Sequence, residues 1–256
     1  MKKLNPIWHY VMPLLLCSFS ALAAEDEIQV YVDDMNKVGQ WGVELHMNYV
    51  PQGQTTPETS SGIPSNHRWQ FTPEFAYGIT PSLEAGLYVP TAMTTDGDFY
   101  ATGLRPRLKY IHQPDQPSIF FWGFNTEFGY STRKVTDTMW GMELRPIMGF
   151  HTEKWLVSFN PIVNLPLSKG GVNKAAFEPA LKISRTINDN LELGIEHYSG
   201  YGPLNRLQGY RNQDHTLFVS ADIKTKTMEI NLGVGRGYHN AEDAWIVKSI
   251  LAFNFN

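Results

Sequence analysis

Residues 67–90 alternate between apolar and polar positions in two arms, which are separated by a short turn at residues 79–82. This period-two pattern is typical of a β-hairpin whose strands each present one apolar face. Each arm runs to about ten residues, the length that a tilted strand needs to cross a bilayer. The apolar positions of the two arms are Trp69, Phe71, Phe75, Tyr77, Ile79, Leu83, Ala85, Leu87 and Val89.

The same alternation recurs along the chain from residue 39 onward and predicts about twelve strands. Short connections alternate with longer polar loops, as they do in bacterial outer-membrane barrels. We therefore predict an all-β fold, a transmembrane antiparallel up-and-down β-barrel over residues 39–256, with a soluble β-sandwich as the alternative. Both chain ends are expected on the side of the short turns, which is the periplasmic side. The short connections lie near residues 80, 115, 152, 188 and 224.

The N-terminus has the features of a secretory signal peptide over residues 1–23. Lys2 and Lys3 precede an apolar run at residues 11–19, and Ala21-Leu22-Ala23 is a small-x-small cleavage signal. Cys17, the single cysteine, lies within this peptide, so the mature protein would contain neither a disulfide nor a thiolate site. Residues 24–38 are acidic at both ends and are expected to form a periplasmic N-terminal segment. Together these features predict a multi-pass β-barrel in the cell outer membrane.

Charge and histidine spacing argue against several classes of partner and cofactor. The chain has 21 basic and 25 acidic residues, and removal of Lys2 and Lys3 leaves 19 against 25, a net charge of −6 with His neutral. A basic face for nucleic acid is therefore not expected. The histidines are scattered over different strands, with no two-ligand spacing on one element, so neither a metal site nor another cofactor is predicted. We expect a monomer surrounded by outer-membrane lipid.

The alternating positions that are polar in the predicted strands, called here the polar parity, would face the lumen. They carry charges of both signs. The strand of Arg107 lies between the strands of Glu84 and Glu127, so ion pairs between neighbouring strands are expected. Two interpretations stay open, an ion-pair network that braces and partly fills the barrel or the lining of a selective pore. The principal lumen-lining or binding candidates are Glu44, His46, Glu74, Glu84, Arg105, Arg107, Lys109, Glu127, Glu143 and Arg145. The same parity also holds Arg68, Glu178, Lys182, Glu192, Glu196, Asp222, Glu229 and Lys248.

His197 and Ser199 suggest a second, enzymatic interpretation. They lie two residues apart on one strand face, and a histidine can act as the base for a serine nucleophile. The spacing resembles the His-x-Ser signature of outer-membrane phospholipases and lipid A deacylases. Those families usually continue with Asn after the Ser, whereas this chain has Gly200, and no third, orienting residue is identified.

Short segments spread over most of the mature chain carry a family resemblance. They are Pro73 to Thr80 with Leu83 to Leu87 and Pro90, Arg107 to Tyr110, Asn160-Pro161 with Leu165-Pro166, and Gly194 to Tyr198 with Gly202-Pro203-Leu204. These segments resemble the outer-membrane β-barrel family named for the meta-pathway of phenol degradation. The resemblance implies a barrel that passes small, often aromatic or hydrophobic, compounds, and it supplies no catalytic residues.

The function predicted from the sequence is that of an outer-membrane channel or uptake protein for small molecules. Eight-stranded barrels are filled by side chains, whereas barrels of sixteen or more strands hold open channels. Twelve strands are intermediate, so a narrow path or ligand cavity is expected rather than a wide general porin. The alternatives are a lipid acyl hydrolase that uses His197 and Ser199, and a structural or surface-interaction barrel.

Overall fold

The computed structural model describes residues 27–57, 59–168 and 174–255, so the predicted signal peptide lies outside the described residues. Twelve wall strands form there, and four of them consist of two pieces. One short 3-10 helix, Tyr210–Asn212, precedes β10. No helix within the described ranges is long and apolar enough to cross a membrane. The strands are β1 (Trp41–Gln52), β2 (Trp69–Thr80), β3 (Leu83–Tyr88 and Thr91–Met93), β4 (Phe99–Ala101 and Gly103–Ile111), β5 (Phe120–Ser131), β6 (Trp140–His151), β7 (Trp155–Asn160 and Val163–Pro166), β8 (Ala176–Phe177 and Ala180–Asn188), β9 (Leu191–Gly200), β10 (Asp214–Lys224), β11 (Glu229–His239) and β12 (Trp245–Phe255).

The sheet closes into a barrel because β1 pairs with both β2 and β12. Trp41, at the start of β1, lies opposite Tyr77 of β2 and Phe255 of β12. In the part of the chain that the structure describes, every wall strand therefore has a neighbour on each side. This is the condition for a sheet in hydrocarbon, where an unpaired strand edge would be costly. The predicted fold class, a twelve-stranded antiparallel barrel, is confirmed.

The barrel distributes its side chains in the opposite way to a soluble protein. Along β5 the outward positions are aromatic, with Phe120 69% exposed and Trp122 53% exposed, whereas Phe121 between them is buried. Charged residues show the reverse, since Glu74 and Glu84 are each only 1% exposed. The apolar parity thus faces outward, and the polar parity faces the lumen.

Prolines coincide with three of the four interruptions in the wall strands. β3 breaks at Pro90, β7 at Pro161 and β8 at Pro179. Proline has no N–H to donate to the ladder, so pairing is lost locally while the strand direction continues. Pro106 lies within β4 where its pairing with β5 is interrupted over residues 105–106.

Residues 27–36, called here the N-terminal segment, lie inside the lumen. This differs from the expected periplasmic location of residues 24–38, of which the first three lie outside the described residues. The segment carries apolar side chains that pack on the inner wall, with Ile28 against Phe218 and Ile246, and Tyr31 against Ile111. The acidic residues at its ends suggested a solvated segment, but these apolar side chains find partners only inside the barrel.

Two glycines let the chain pass from the N-terminal segment into β1. Gly39 has a φ of 80°, in the left-handed region that glycine tolerates best, and its N–H donates to the Gly78 carbonyl at 2.8 Å. A Cβ atom at Gly78 would lie 2.3 Å from the carbonyl oxygen of Lys37 and 2.6 Å from that of Asn36. The segment can therefore cross β2 only because position 78 has no side chain.

Gly78→Val should destabilise the barrel by about 1–3 kcal/mol, because the new side chain must displace the backbone of residues 36–37. It should also make the bond after the exposed Lys37 easier for trypsin to cleave. Urea unfolding in detergent and limited proteolysis measure the two effects. Gly209→Val is the control, since a Cβ there meets nothing within 4 Å. Equal unfolding midpoints and cleavage rates for both variants would contradict the proposed crossing.

Candidate functional site

The backbone of the N-terminal segment is held by polar side chains of the lumen wall. Lys248 Nζ donates to the Ile28 carbonyl at 3.0 Å. At Tyr31 the backbone N–H donates to Asn160 Oδ1 at 2.7 Å, and the carbonyl accepts from Asn160 Nδ2 at 3.0 Å and from Ser158 Oγ at 2.5 Å. These side-chain bonds take the place of the hydrogen bonds of a β-sheet for the Ile28 carbonyl and for both backbone groups of Tyr31.

Tyr31 lies at the centre of the lumen contacts. The Arg145 guanidinium stacks over its ring at 4.3 Å from the centroid, a cation–π contact. Its hydroxyl contacts the Tyr88 hydroxyl and donates to Glu127 Oε1 at 3.4 Å. A phenol is neutral at physiological pH, so the Tyr31 hydroxyl is available as a donor.

Ion pairs hold the N-terminal segment near both of its ends. Asp34 lies 3.4 Å from Lys109 Nζ, and Asp33 lies 3.2 Å from His151 Nδ1. At the other end Glu27 lies 3.6 Å from Arg145 Nη1. The acidic character of the segment thus serves to pair it with bases of the wall.

Four of the predicted lumen residues form one buried cluster. Arg107 lies between two carboxylates, donating from Nε to Glu74 Oε1 at 2.5 Å and from Nη2 to Glu84 Oε1 at 2.7 Å. Lys109 Nζ lies 3.7 Å from Glu84, whose other oxygen accepts the Asn36 backbone N–H at 2.7 Å. The cluster therefore joins β2, β3 and β4 to the N-terminal segment.

The other predicted residues lie in smaller groups along the wall. Arg105 Nε is 3.9 Å from Glu127, a weak pairing across neighbouring strands. Arg145 donates two hydrogen bonds to Glu143 on its own strand, at 2.6 and 3.1 Å. Glu44 and His46 approach Glu74 across the β1–β2 ladder.

A second buried charge cluster lies on the opposite wall and was not among the principal candidates. Lys248 Nζ donates to Glu196 Oε2 at 2.5 Å, and Lys182 Nζ donates to Asp222 Oδ2 at 2.7 Å. Glu196 also accepts from the Tyr198 hydroxyl at 2.5 Å. The parity of the strands had placed these charges on the lumen face, but it could not show that they meet. The roles of Tyr31, Tyr88, Ser158 and Asn160 carried no sequence signal at all.

His197 and Ser199 are held apart from each other by other partners. His197 Nε2 lies 3.0 Å from the Tyr238 hydroxyl and 3.2 Å from His215 Nδ1. Ser199 Oγ donates instead to the Pro179 carbonyl at 3.1 Å. Among the described residues no hydrogen bond joins His197 to Ser199, so the geometry does not activate the serine as a nucleophile.

A cavity of about 740 Å³, including space open to solvent, lies at the end of the barrel that carries the long loops. Ile28 and Gln29 of the N-terminal segment form part of its lining, together with Tyr198 and Phe218. Carboxylates outnumber bases in this lining, where Arg145 is already paired with Glu143 and Glu27. The acidic residues of the lining are Glu178, Asp214, Glu242 and Asp243.

No family model and no curated protein matches the chain, so the resemblance to the meta-pathway family stays a prediction. Solved structures do resemble it. The COG4313 outer membrane channel from Pseudomonas putida F1 aligns with a TM-score of 0.60 at 13% identity, covering 90% of this chain and 100% of that one. The KdgM porin aligns with a TM-score of 0.57 at 9% identity, and the NanC porin with a TM-score of 0.56 at 10% identity. Each alignment covers 84% of this chain and 99% of the porin chain. At these identities the likeness shows the fold.

Arg107→Met should destabilise the protein by about 3–5 kcal/mol, because it leaves the buried carboxylates of Glu74 and Glu84 without their shared base. Arg105→Met is a matched control on the same strand, since Arg105 is half-buried and its pairing is long. That change should cost no more than about 1 kcal/mol. Urea unfolding of both variants measures the difference, and an equal loss would show that the central cluster is not a stability determinant.

Proposed function

We propose that this protein is an outer-membrane channel for small molecules, and that its N-terminal segment closes the lumen in the conformation described above. The observation that carries the proposal is the content of the lumen. A closed wall of twelve strands encloses a peptide segment rather than a core built from wall side chains alone. The orientation expected from the loop lengths places the long loops outside the cell.

The contacts of the N-terminal segment support a removable closure rather than a permanent filling. Its backbone is bound chiefly by side-chain hydrogen bonds to Lys248, Arg145, Ser158 and Asn160. The bonds from the neutral Ser158 and Asn160 contribute only about 0.5–1.5 kcal/mol net each, and those from the charged Lys248 and Arg145 about 1.5–3 kcal/mol, because water can replace the lost partner. A lumen that admits water when the segment moves would keep these wall side chains satisfied.

The cavity at the long-loop end supports a path that reaches the N-terminal segment. Because Ile28 and Gln29 line it, a solute entering from this end meets the segment directly. The lining combines carboxylates with Tyr198, Phe218 and Ile246. A small solute with an apolar part would find both kinds of contact there. The family resemblance implies small, often aromatic or hydrophobic, compounds as the class of solute.

The structural neighbours are consistent with this function. Three barrels that align with TM-scores of 0.56 to 0.60 are described as an outer membrane channel or as porins. Their sequences are only 9 to 13% identical to this one, so they support the class of function and not a solute.

Weakening the contacts of Tyr31, which hold the N-terminal segment in the lumen, should open the channel. Tyr31→Ala removes the ring that packs under Arg145 and against Ile111, so single-channel recordings in planar bilayers should show longer and larger conducting events than wild type. Adding the pair Asp33→Cys and His151→Cys to this variant allows a short thiol cross-linker to tie the segment to β6, because these side chains lie within 3.2 Å.

Cross-linking should return the Tyr31→Ala variant to low conductance, and reductive cleavage of the linker should restore the opening. Each single cysteine variant is a control, since the predicted mature chain has no other cysteine. A barrel that stays impermeable to ions and small aromatics in Tyr31→Ala, with a correctly folded protein, would favour a structural barrel and contradict the proposal.

A further inference from the structure

We propose that Glu44, His46 and Glu74 form a binding site for one divalent transition-metal ion, with Zn²⁺ as the ion that best fits the ligands. The site lies on the lumen wall where β1 and β2 pair. It does not depend on the transport function proposed above, because its ligands all belong to the wall.

Strand pairing places two carboxylates directly opposite each other. Glu44 of β1 faces Glu74 of β2 in the antiparallel register, and both lie on the lumen parity. Like charges opposite each other destabilise a sheet unless a cation lies between them. His46 lies two residues along β1, on the same face, and so reaches the same place.

The three side chains are spaced as ligands of one ion. His46 Nε2 lies 3.4 Å from Glu74 Oε2 and 3.7 Å from Glu44 Oε2, and the three ligand atoms all lie within 4.8 Å of one another. Zinc binds nitrogen and carboxylate oxygen at roughly 2.0–2.2 Å in tetrahedral geometry, which places neighbouring ligand atoms about 3.4 Å apart. The observed separations from His46 match that spacing closely.

Direct hydrogen bonding accounts for these distances less well. An N–H···O bond is normally about 2.7–3.2 Å long, and bonds to a carboxylate are shorter still. Both separations from His46 Nε2 exceed that range. His46 is only 1% exposed, and its Nδ1 has no hydrogen-bond partner among the described residues. The buried imidazole thus has one long hydrogen bond, from Nε2 to Glu74 Oε2 at 3.4 Å, whereas a metal ion would engage Nε2 and both carboxylates together.

The surroundings of the cluster are those of a metal site. Arg107 holds the second oxygen of Glu74 through Nε at 2.5 Å, which leaves Oε2 directed at His46. Hydrogen-bonded carboxylate ligands of this kind are oriented for their metal. Glu44 is partly exposed, with 24% of its side chain accessible, so an ion can enter from the lumen and keep water at its remaining position.

Calorimetric titration of ZnCl₂ into the untagged, detergent-solubilised protein tests the site. Wild type should bind one equivalent saturably. Glu44→Gln and His46→Gln should each weaken binding by roughly 100-fold or more, because loss of even an outer partner of a ligand costs about 10–100-fold. His151→Gln is the matched control, since it removes a histidine paired with Asp33 outside the cluster. It should bind Zn²⁺ as wild type does.

A second readout separates coordination from general stabilisation. Co²⁺ bound by one nitrogen and two carboxylate oxygens should show visible d–d absorption in wild type and His151→Gln, and this absorption should be lost in Glu44→Gln. Because Glu44 is the least buried ligand, that variant decides the question if His46→Gln does not fold. If wild type shows no saturable Zn²⁺ binding, His46 only contacts the two glutamates without binding a metal, and the proposal is overturned. Binding that persists unchanged in Glu44→Gln would do the same.

Discussion

Pairing of charges inside a closed wall is the constraint on which the rest of this structure depends. The lumen contains carboxylates such as Glu74, Glu84 and Glu196 that are only about 1% exposed. A carboxylate so far from bulk water is tolerated only with a nearby base and hydrogen bonds. Arg107 supplies these on one wall and Lys248 on the other. Strand register determines which acidic side chains each basic side chain can reach. The ion pairs that form in turn favour that register over the alternatives.

The N-terminal segment belongs to this network and also completes the apolar packing of the lumen. Its acids pair with Arg145, Lys109 and His151, and its Ile28 and Tyr31 fill space between apolar wall residues. A twelve-stranded barrel is intermediate between those filled by wall side chains and those that hold an open channel, and here the inserted segment supplies part of the packing. Closure and stability of this barrel therefore come from the same residues.

The two buried charge clusters suggest different roles for opposite sides of the lumen. On the side of Lys248 and Glu196, Lys248 Nζ donates to Glu196 Oε2 at 2.5 Å and Lys182 Nζ donates to Asp222 Oδ2 at 2.7 Å, short charged hydrogen bonds that are typical of a bracing network. Around His46 the Nε2 atom lies 3.4 Å from Glu74 and 3.7 Å from Glu44, and Nδ1 has no hydrogen-bond partner among the described residues, although Arg107 beside it is tightly held. The short hydrogen bonds of Lys248 and Lys182 indicate a brace, whereas the single long hydrogen bond of His46 leaves room for a bound ion.

The sequence by itself determined the class of fold and the face on which each charge lies. Period-two alternation from Trp41 to Phe255, with short and long connections in turn, requires strands that are apolar on one side only. The same parity assigned Arg107, Glu84 and Lys248 to the lumen before any contact was known. These properties follow from local geometry, because successive side chains of a strand must point to opposite faces.

Only the tertiary structure decided which lumen residues meet and what fills the space between them. Glu44 and His46 come close to Glu74 through the β1–β2 register, which sequence parity leaves free to shift by two residues. Residues 27–36 alternate like a strand, yet they pair with no wall strand and bind side chains such as Ser158 and Asn160 that lie more than a hundred positions away. Contacts at such separations depend on barrel closure, which is a property of all twelve strands together.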